Sequence, residues 1–223
     1  MYWIFFIGIL IISSIVQQSL NSKFKKYSKV PLSNGRTGAD VDRKMVKDHG
    51  IYDVTVTHVS GHLTDHYNVT NKTINLSDSV YNSCSIAAAA VAAHECGHAV
   101  QHATQYAPVK LRTALVPIIS FSSNIMSIVL LAGILLLKTF PSILLFGIIL
   151  YALTTLFSFI TLPVEINASK RAVNWLYTAG ITNDKTTEMA ESALRSAAYT
   201  YVVNALCSLA TLLYYISIFS DRR

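Results

Sequence analysis

Charged residues are scarce in this chain of 223 residues. Only 13% are Asp, Glu, Lys or Arg, whereas 52% are hydrophobic, and the mean hydropathy is +0.42. A typical soluble domain carries about 25% charged residues. The deficit excludes an ordinary soluble domain and predicts an integral membrane protein.

Glycine and cysteine are sparse too, with nine and three residues. No Gly-rich phosphate loop, repeat or low-complexity tract occurs in the sequence. Cys84, Cys96 and Cys207 share neither a disulfide framework nor a metal-binding spacing, so we interpret them as reduced thiols. Cys96 in particular is expected to point away from any metal and into the core.

The chain is basic, with a net charge of +6 and a pI of about 9.2. This charge lies beside the first hydrophobic segment and is not interleaved with stacking aromatic residues, so we predict no nucleic-acid partner. Contact with the lipid bilayer, and with anionic lipid in particular, is the simpler interpretation.

Four hydrophobic segments are long enough, or nearly long enough, to span a bilayer: residues 1–20, 115–137, 142–162 and 201–219. The first has no basic residue before it and no cleavage site after it, so we interpret it as a retained anchor. Partial insertion of the third or fourth segment would change the number of spans.

The distribution of positive charge predicts the orientation. Eight lysines and arginines lie between Lys23 and Lys47, and such segments stay cytoplasmic. The amino terminus is then outside, residues 21–114 and 163–200 are cytoplasmic, and the link 138–141 is outside. We expect one membrane-embedded domain that spans residues 1–223.

The most specific motif is the HExxH pentad at residues 94–98. On a helix, His94 and His98 lie on one face and can present two imidazole nitrogens to one metal ion. Glu95, beside them, is predicted to be the general base that takes a proton from the attacking water. The preceding run 87–93 favours a helix, and Gly97 leaves room for close backbone packing.

A catalytic zinc site needs a third protein ligand. His102 is one candidate, but ligands at positions i, i+4 and i+8 fall along a line, and no glycine breaks the helix between His98 and His102. Glu165, predicted near the start of a new helix with Pro163 in its first turn, is the better candidate. An acid that merely favours a helix amino terminus is the alternative interpretation.

Alternating β-branched residues between 52 and 76 predict a small sheet, with strands near 54–59, 63–67 and 72–76. An edge strand of such a sheet can line a peptidase cleft. Asp65 and His66, with His62, are then candidates for lining the cleft, although a polar strand surface explains them equally well.

Several motifs give the chain a resemblance that covers nearly its whole length. They are residues 61–67, 76–77 with 80–81, 92–101, 162–165 with 168–172, and 197–202. The chain resembles the YugP-like neutral zinc metallopeptidases, small bacterial membrane proteins distantly related to the HtpX and CAAX prenyl protease group. The resemblance implies one Zn²⁺ per chain, bound by His94, His98 and Glu165, with Glu95 as the base, in a bacterial cell membrane.

One position of this chain departs from the pattern of that wider group. In the wider group the motif that begins with the third ligand usually carries an Asp that steadies a ligand histidine, and here that position is Ser169. Ser169 is a candidate for the same role with its hydroxyl. Arg171 is a candidate for stabilising the oxyanion, with contact to lipid phosphate as the alternative.

We therefore expect a mainly α membrane protein of about four transmembrane helices, with a zincin-like catalytic helix and a small β-sheet on the cytoplasmic side. The predicted activity is that of a gluzincin-type zinc endopeptidase acting on peptides or membrane proteins. The alternative is a catalytically silent membrane scaffold or regulator stabilised by zinc. The sequence leaves the oligomeric state and the substrate open.

Overall fold

The computed structural model describes residues 2–221, with side chains described from residue 7 onward. It contains seven helices and three strands within that range, which confirms the prediction of a mainly helical protein with a small sheet. In chain order they are α1 (Tyr2–Tyr27), α2 (Gly38–Asp48), β1 (Thr55–His58), β2 (His66–Asn68), β3 (Thr73–Leu76), α3 (Asp78–Tyr81), α4 (Ile86–Ala103), α5 (Ala107–Leu135), α6 (Pro141–Thr178) and α7 (Asp184–Ser220).

Helix α4 is the centre of the core and carries the HExxH pentad. Ser85 caps its amino terminus by accepting a hydrogen bond from the Ala88 amide, which satisfies one of the first free N–H groups. Alanine has the highest helix propensity, and the alanines of residues 87–93 are all buried. These small side chains let α2, α6 and α7 pack closely around α4.

The three strands form one sheet in the order β1-β3-β2, with β1 parallel and β2 antiparallel to β3. Ile74 and Leu76 of β3 are fully buried. The three predicted strands are confirmed but shorter, and positive φ at Leu63 and Lys72 explains why β2 and β3 begin later than predicted. Strand β2 lies at the edge of the sheet, against α4.

Three described helices are long and apolar enough to cross a membrane: α5, α6 and α7. They contain the spans predicted at 142–162 and 201–219 and nearly all of the span predicted at 115–137. Residues 2–20 of the first predicted span lie in α1, but the side chains of residues 1–6 fall outside the described part of the chain. The total of four spans therefore stays a prediction.

The expectation that a new helix starts near Glu165 is wrong. Helix α6 runs without a break from the third predicted span to Thr178, with Pro163 in its interior. Proline removes one backbone hydrogen bond, and membrane helices tolerate this where neighbouring helices pack around the site. Helix α7 likewise runs without a break from Asp184 through the last predicted span.

Gly97 fixes how closely α4 and α6 approach each other. A Cβ atom at this position would lie 2.8 Å from the carbonyl oxygen of Ala168. Only glycine allows this distance without a shift of backbone, which agrees with the close packing predicted for Gly97. As a result, α6 presents Glu165 and Ser169 directly to the histidines of α4.

Candidate metal centre and cleft

His94, His98 and Glu165 lie together, although Glu165 is distant from the histidines in sequence. Their ligand atoms all lie within 4.8 Å of one another. The Glu165 Oε2 atom is 3.3 Å from His94 Nε2 and 3.6 Å from His98 Nε2. A tetrahedral zinc ion with bonds of about 2.0 to 2.2 Å holds its ligand atoms about 3.3 to 3.6 Å apart. The two distances to Glu165 therefore match those around one tetrahedral zinc ion.

The Oε2 atom of Glu165 supplies a second test of this fit. Glu165 is buried, and Oε2 has no hydrogen-bond partner among the described residues. A buried carboxylate oxygen without a donor is costly, unless a cation or a metal ion compensates it. Two imidazoles and one carboxylate also form a common donor set for catalytic zinc. The residues present thus fit a zinc ion.

The pKa values of Glu165 and His98 depend on the neighbouring charged groups of the site. Burial alone would raise the pKa of Glu165, which lies beyond the span predicted at 142–162, but the adjacent imidazoles of His94 and His98 hold it well below its usual range. Burial would lower the pKa of His98, but the carboxylates of Glu165 and Glu95 outweigh this and raise it. A proton or another cation is therefore favoured between these groups.

Each histidine has a partner for its other ring nitrogen. Ser169 Oγ lies 3.1 Å from His94 Nδ1, and Gln101 Oε1 lies 3.1 Å from His98 Nδ1. When Nδ1–H donates to such an oxygen, the lone pair is on Nε2, which is the nitrogen that faces Glu165. Ser169 thus lies where the sequence predicts an orienting group for a ligand histidine.

Gln101 is a contact that the sequence analysis missed. It is fully buried, and its Nε2 donates to the carbonyl of Val164 at 2.8 Å and to Asn167 Oδ1 at 3.0 Å. Gln101 therefore connects His98 to the α6 segment that carries Glu165. The local signals for this role are its i+3 spacing from His98 and its place at the end of the motif 92–101.

Glu95 lies at the edge of the sheet. Its Oε2 atom accepts a hydrogen bond of 3.1 Å from the backbone amide of Tyr67 in β2. Glu95 lines the same cleft as the three candidate ligands, without belonging to the group of ligand atoms. It is therefore within the site but free of the metal position, as a general base requires.

The cleft has a volume of about 410 Å³ and lies between β2, α4 and α5. Asp65 and His66 line it, as expected for candidate cleft residues. Asp65 accepts hydrogen bonds from the amide and the hydroxyl of Ser77 at 2.7 and 2.9 Å. The Nδ1 atom of His66 lies 2.8 Å from the carbonyl oxygen of Thr64. Both side chains therefore also stabilise the loops around β2.

Two further residues of the cleft were not predicted. Arg112 of α5 lies with its Nη1 atom 3.6 Å from Glu165 Oε1, and Tyr201 of α7 lines the same cavity. Arg112 lies outside the motifs described above, whereas Tyr201 stands in the motif 197–202 without a role assigned to it. Arg112 brings a positive charge into the cleft, close to the third candidate ligand.

Arg171 lies elsewhere. Its Nε atom donates to Asn167 Oδ1 at 2.8 Å, and its guanidinium group stacks near the ring of Tyr106. It is not among the residues that line the cleft. His102 lines the cleft, and burial lowers its pKa, but among the described residues the group of metal-ligand atoms is limited to His94, His98 and Glu165.

Comparison with known proteins agrees with this geometry. Residues 2–220 match the model of a family described as "Putative neutral zinc metallopeptidase". The chain is 41% identical over 207 residues to "Putative membrane protease YugP" of Bacillus subtilis (strain 168), which covers 93% of this chain and 91% of that protein. No solved structure matches the chain.

Proposed function

The chain belongs to the family described as "Putative neutral zinc metallopeptidase", and on this premise we propose that it is a zinc-dependent endopeptidase of the membrane. The observation that carries the proposal is the Oε2 atom of Glu165, buried without a hydrogen-bond donor and facing the Nε2 atoms of both histidines. In this proposal His94, His98 and Glu165 bind one zinc ion in the gluzincin manner, and no fourth protein ligand closes the site.

Zinc bound there would polarise the scissile carbonyl and make the attacking water more acidic. Glu95 takes the proton of that water and delivers it to the leaving amine. In the structure its carboxylate accepts the Tyr67 amide at 3.1 Å, so β2 holds the base at the edge of the cleft. Ser169 and Gln101 keep the imidazoles of His94 and His98 oriented with Nε2 toward the metal position.

We assign the stabilisation of the developing oxyanion to Arg112 rather than to Arg171. The Arg112 guanidinium lies in the cleft, 3.6 Å from Glu165, whereas Arg171 is engaged by Asn167 and Tyr106. A fixed positive charge near the reacting carbonyl stabilises the transition state more than the ground state.

We further propose that the substrates are extended loops or tails of membrane proteins. Candidate spans run directly into the site: α5 carries Arg112 at its amino-terminal end, and α6 carries Glu165 just beyond residues 142–162. The basic segment from Lys23 to Lys47 supports a cytoplasmic location of the site. A cleft at that depth favours segments that lie close to the bilayer and can align with the edge of β2.

The proposal is tested by cleavage of casein and a mixed peptide library by the purified, zinc-loaded protein in detergent, with products identified by mass spectrometry. Wild type and Glu188→Gln, a matched change of an exposed acid on α7, are expected to cleave. Glu95→Gln is expected to lose cleavage by a factor of about 100 or more while keeping its zinc. If all three bind zinc and none cleaves, the chain is a zinc-stabilised scaffold.

A further inference from the structure

A second cavity lies outside the cleft, between α6 and α7. It is a groove of about 580 Å³, and its lining shares no residue with that of the cleft. The two helices run antiparallel and are joined at 179–183, so the groove follows the hairpin away from the predicted spans. Its walls are mostly apolar, with Ile166 and Val173 on α6 and Leu194, Ala198 and Val202 on α7.

Two cations lie partway along this groove, just beyond the apolar side chains closest to the predicted membrane. Lys170 and Arg195 both line it and are exposed. Neither forms an ion pair or hydrogen bond with another residue in the part of the chain that the structure describes. Their charge is therefore available to a ligand.

The depth of these cations matches a layer of lipid headgroups. At 1.5 Å per residue, Lys170 lies about 12 Å beyond residue 162, and Arg195 lies about 9 Å before residue 201. The headgroup layer extends about 5 to 8 Å beyond the hydrocarbon on each side, and long basic side chains reach back toward the bilayer by several Å. Both charged groups can therefore meet phosphate oxygens.

The acidic groups of the hairpin lie farther from the predicted membrane. Glu191 lines the groove about one helical turn beyond Arg195, and Asp184 lies at the far end, beside Tyr177. Along the groove, Ile166 and Val202 thus lie nearest the spans, the two cations come next, and the acidic groups lie farthest away. This order suits a phospholipid whose acyl chain contacts the apolar wall and whose phosphate lies between the two cations.

We propose that the α6–α7 groove binds an anionic phospholipid, with its phosphate held by Lys170 and Arg195. Two unpaired cations against one acid in the lining give the site a net positive charge, which favours a headgroup with net negative charge over a zwitterionic one. The inference does not depend on the peptidase activity. The groove and the metal centre nevertheless share one side chain, because Ser169 lines the groove and its hydroxyl contacts His94.

The test uses the full-length protein, delipidated in a neutral detergent, and measures thermal unfolding with added phosphatidylglycerol or phosphatidylcholine. Phosphatidylglycerol is expected to raise the Tm of the wild type by about 5 °C at a hundredfold excess over its Kd, and phosphatidylcholine by clearly less. The Lys170→Gln/Arg195→Gln variant is expected to lose the difference between the two lipids. Lys185→Gln, which removes an exposed cation of α7 outside the groove, is the matched control.

Native mass spectrometry of retained lipid provides a second measurement if the double variant is unstable. Ala198→Trp fills the groove and leaves both cations in place, and it is expected to reduce retained phosphatidylglycerol. The proposal is overturned if phosphatidylcholine stabilises the wild type equally well. It is also overturned if the double variant retains phosphatidylglycerol like Lys185→Gln.

Discussion

Gly97→Ala tests whether the contact between α4 and α6 sets the geometry of the metal centre. The added Cβ would lie 2.8 Å from the Ala168 carbonyl oxygen and 3.2 Å from its Cα atom, whereas ordinary contacts begin near 3.4 Å. The two backbones must therefore separate by about 0.6 Å. Ala168 lies between Glu165 and Ser169, so both would move away from the histidines.

The expected magnitudes separate zinc binding from global stability. Overpacking costs about 1 to 3 kcal/mol, but alanine regains about 0.8 to 1.0 kcal/mol of helix propensity, so the net loss of stability is small. A metal site tolerates distance errors of only about 0.2 Å. Gly97→Ala should therefore weaken zinc binding about tenfold or more, while Tm without zinc falls by only a few degrees.

Zinc affinity is measured by competition with a chromogenic chelator, and Tm is measured without zinc on the same preparations. Gly8→Ala is the matched control, because Gly8 lies in helix α1 and a Cβ there meets nothing within 4 Å. Its zinc affinity should equal that of the wild type. Wild-type zinc affinity in Gly97→Ala would refute the reasoning that this contact positions Glu165.

Three other changes test separate parts of the structure. Ser169→Ala removes the 3.1 Å contact to His94 Nδ1 and should weaken zinc binding about tenfold or more; an unchanged affinity in the same titration would show that the hydroxyl has no orienting role. Burial, with nearby carboxylates, raises the pKa of Asp42 well above its ordinary value, and its two oxygens lack partners among the described residues. A carboxyl group whose pKa is raised in the folded protein destabilises the fold as pH increases, by about 1.4 kcal/mol for each pH unit between its unfolded and folded pKa. Asp42→Asn removes this group and should therefore raise Tm more at pH 8 than at pH 5. An equal change of Tm at both pH values would contradict this. A reporter inserted after Asn34 should give a cytoplasmic signal, and an external signal would invert the proposed topology.

The local parts of the site could be predicted from the sequence. His94, Glu95 and His98 lie within a single helical turn and a half, so their arrangement follows from helix geometry alone. The strands of the small sheet were recognisable because alternation is also a local pattern, although their ends depended on the turns at Gly61 and Lys72.

The partners contributed by distant helices could not be predicted in the same way. Gln101, Arg112 and Tyr201 reach the site through the packing of α4, α5, α6 and α7. Gln101 and Tyr201 stand in the motifs 92–101 and 197–202, but a motif does not show which side chains of other helices it will meet. Glu165 was predicted as the third ligand because Pro163 marked its segment as the start of a helix. The start of its helix was predicted wrongly, because proline predicts a helix start in soluble proteins but is tolerated inside a long membrane helix.

The most direct test of the central claim is the zinc content of three proteins purified side by side: wild type, Glu95→Gln and Glu165→Ala. We expect about one zinc per chain in the first two and a small fraction of that in Glu165→Ala, because only the last change removes a ligand. Full zinc in Glu165→Ala would contradict the proposed metal centre, and loss of zinc in Glu95→Gln would contradict the separation of base from ligands.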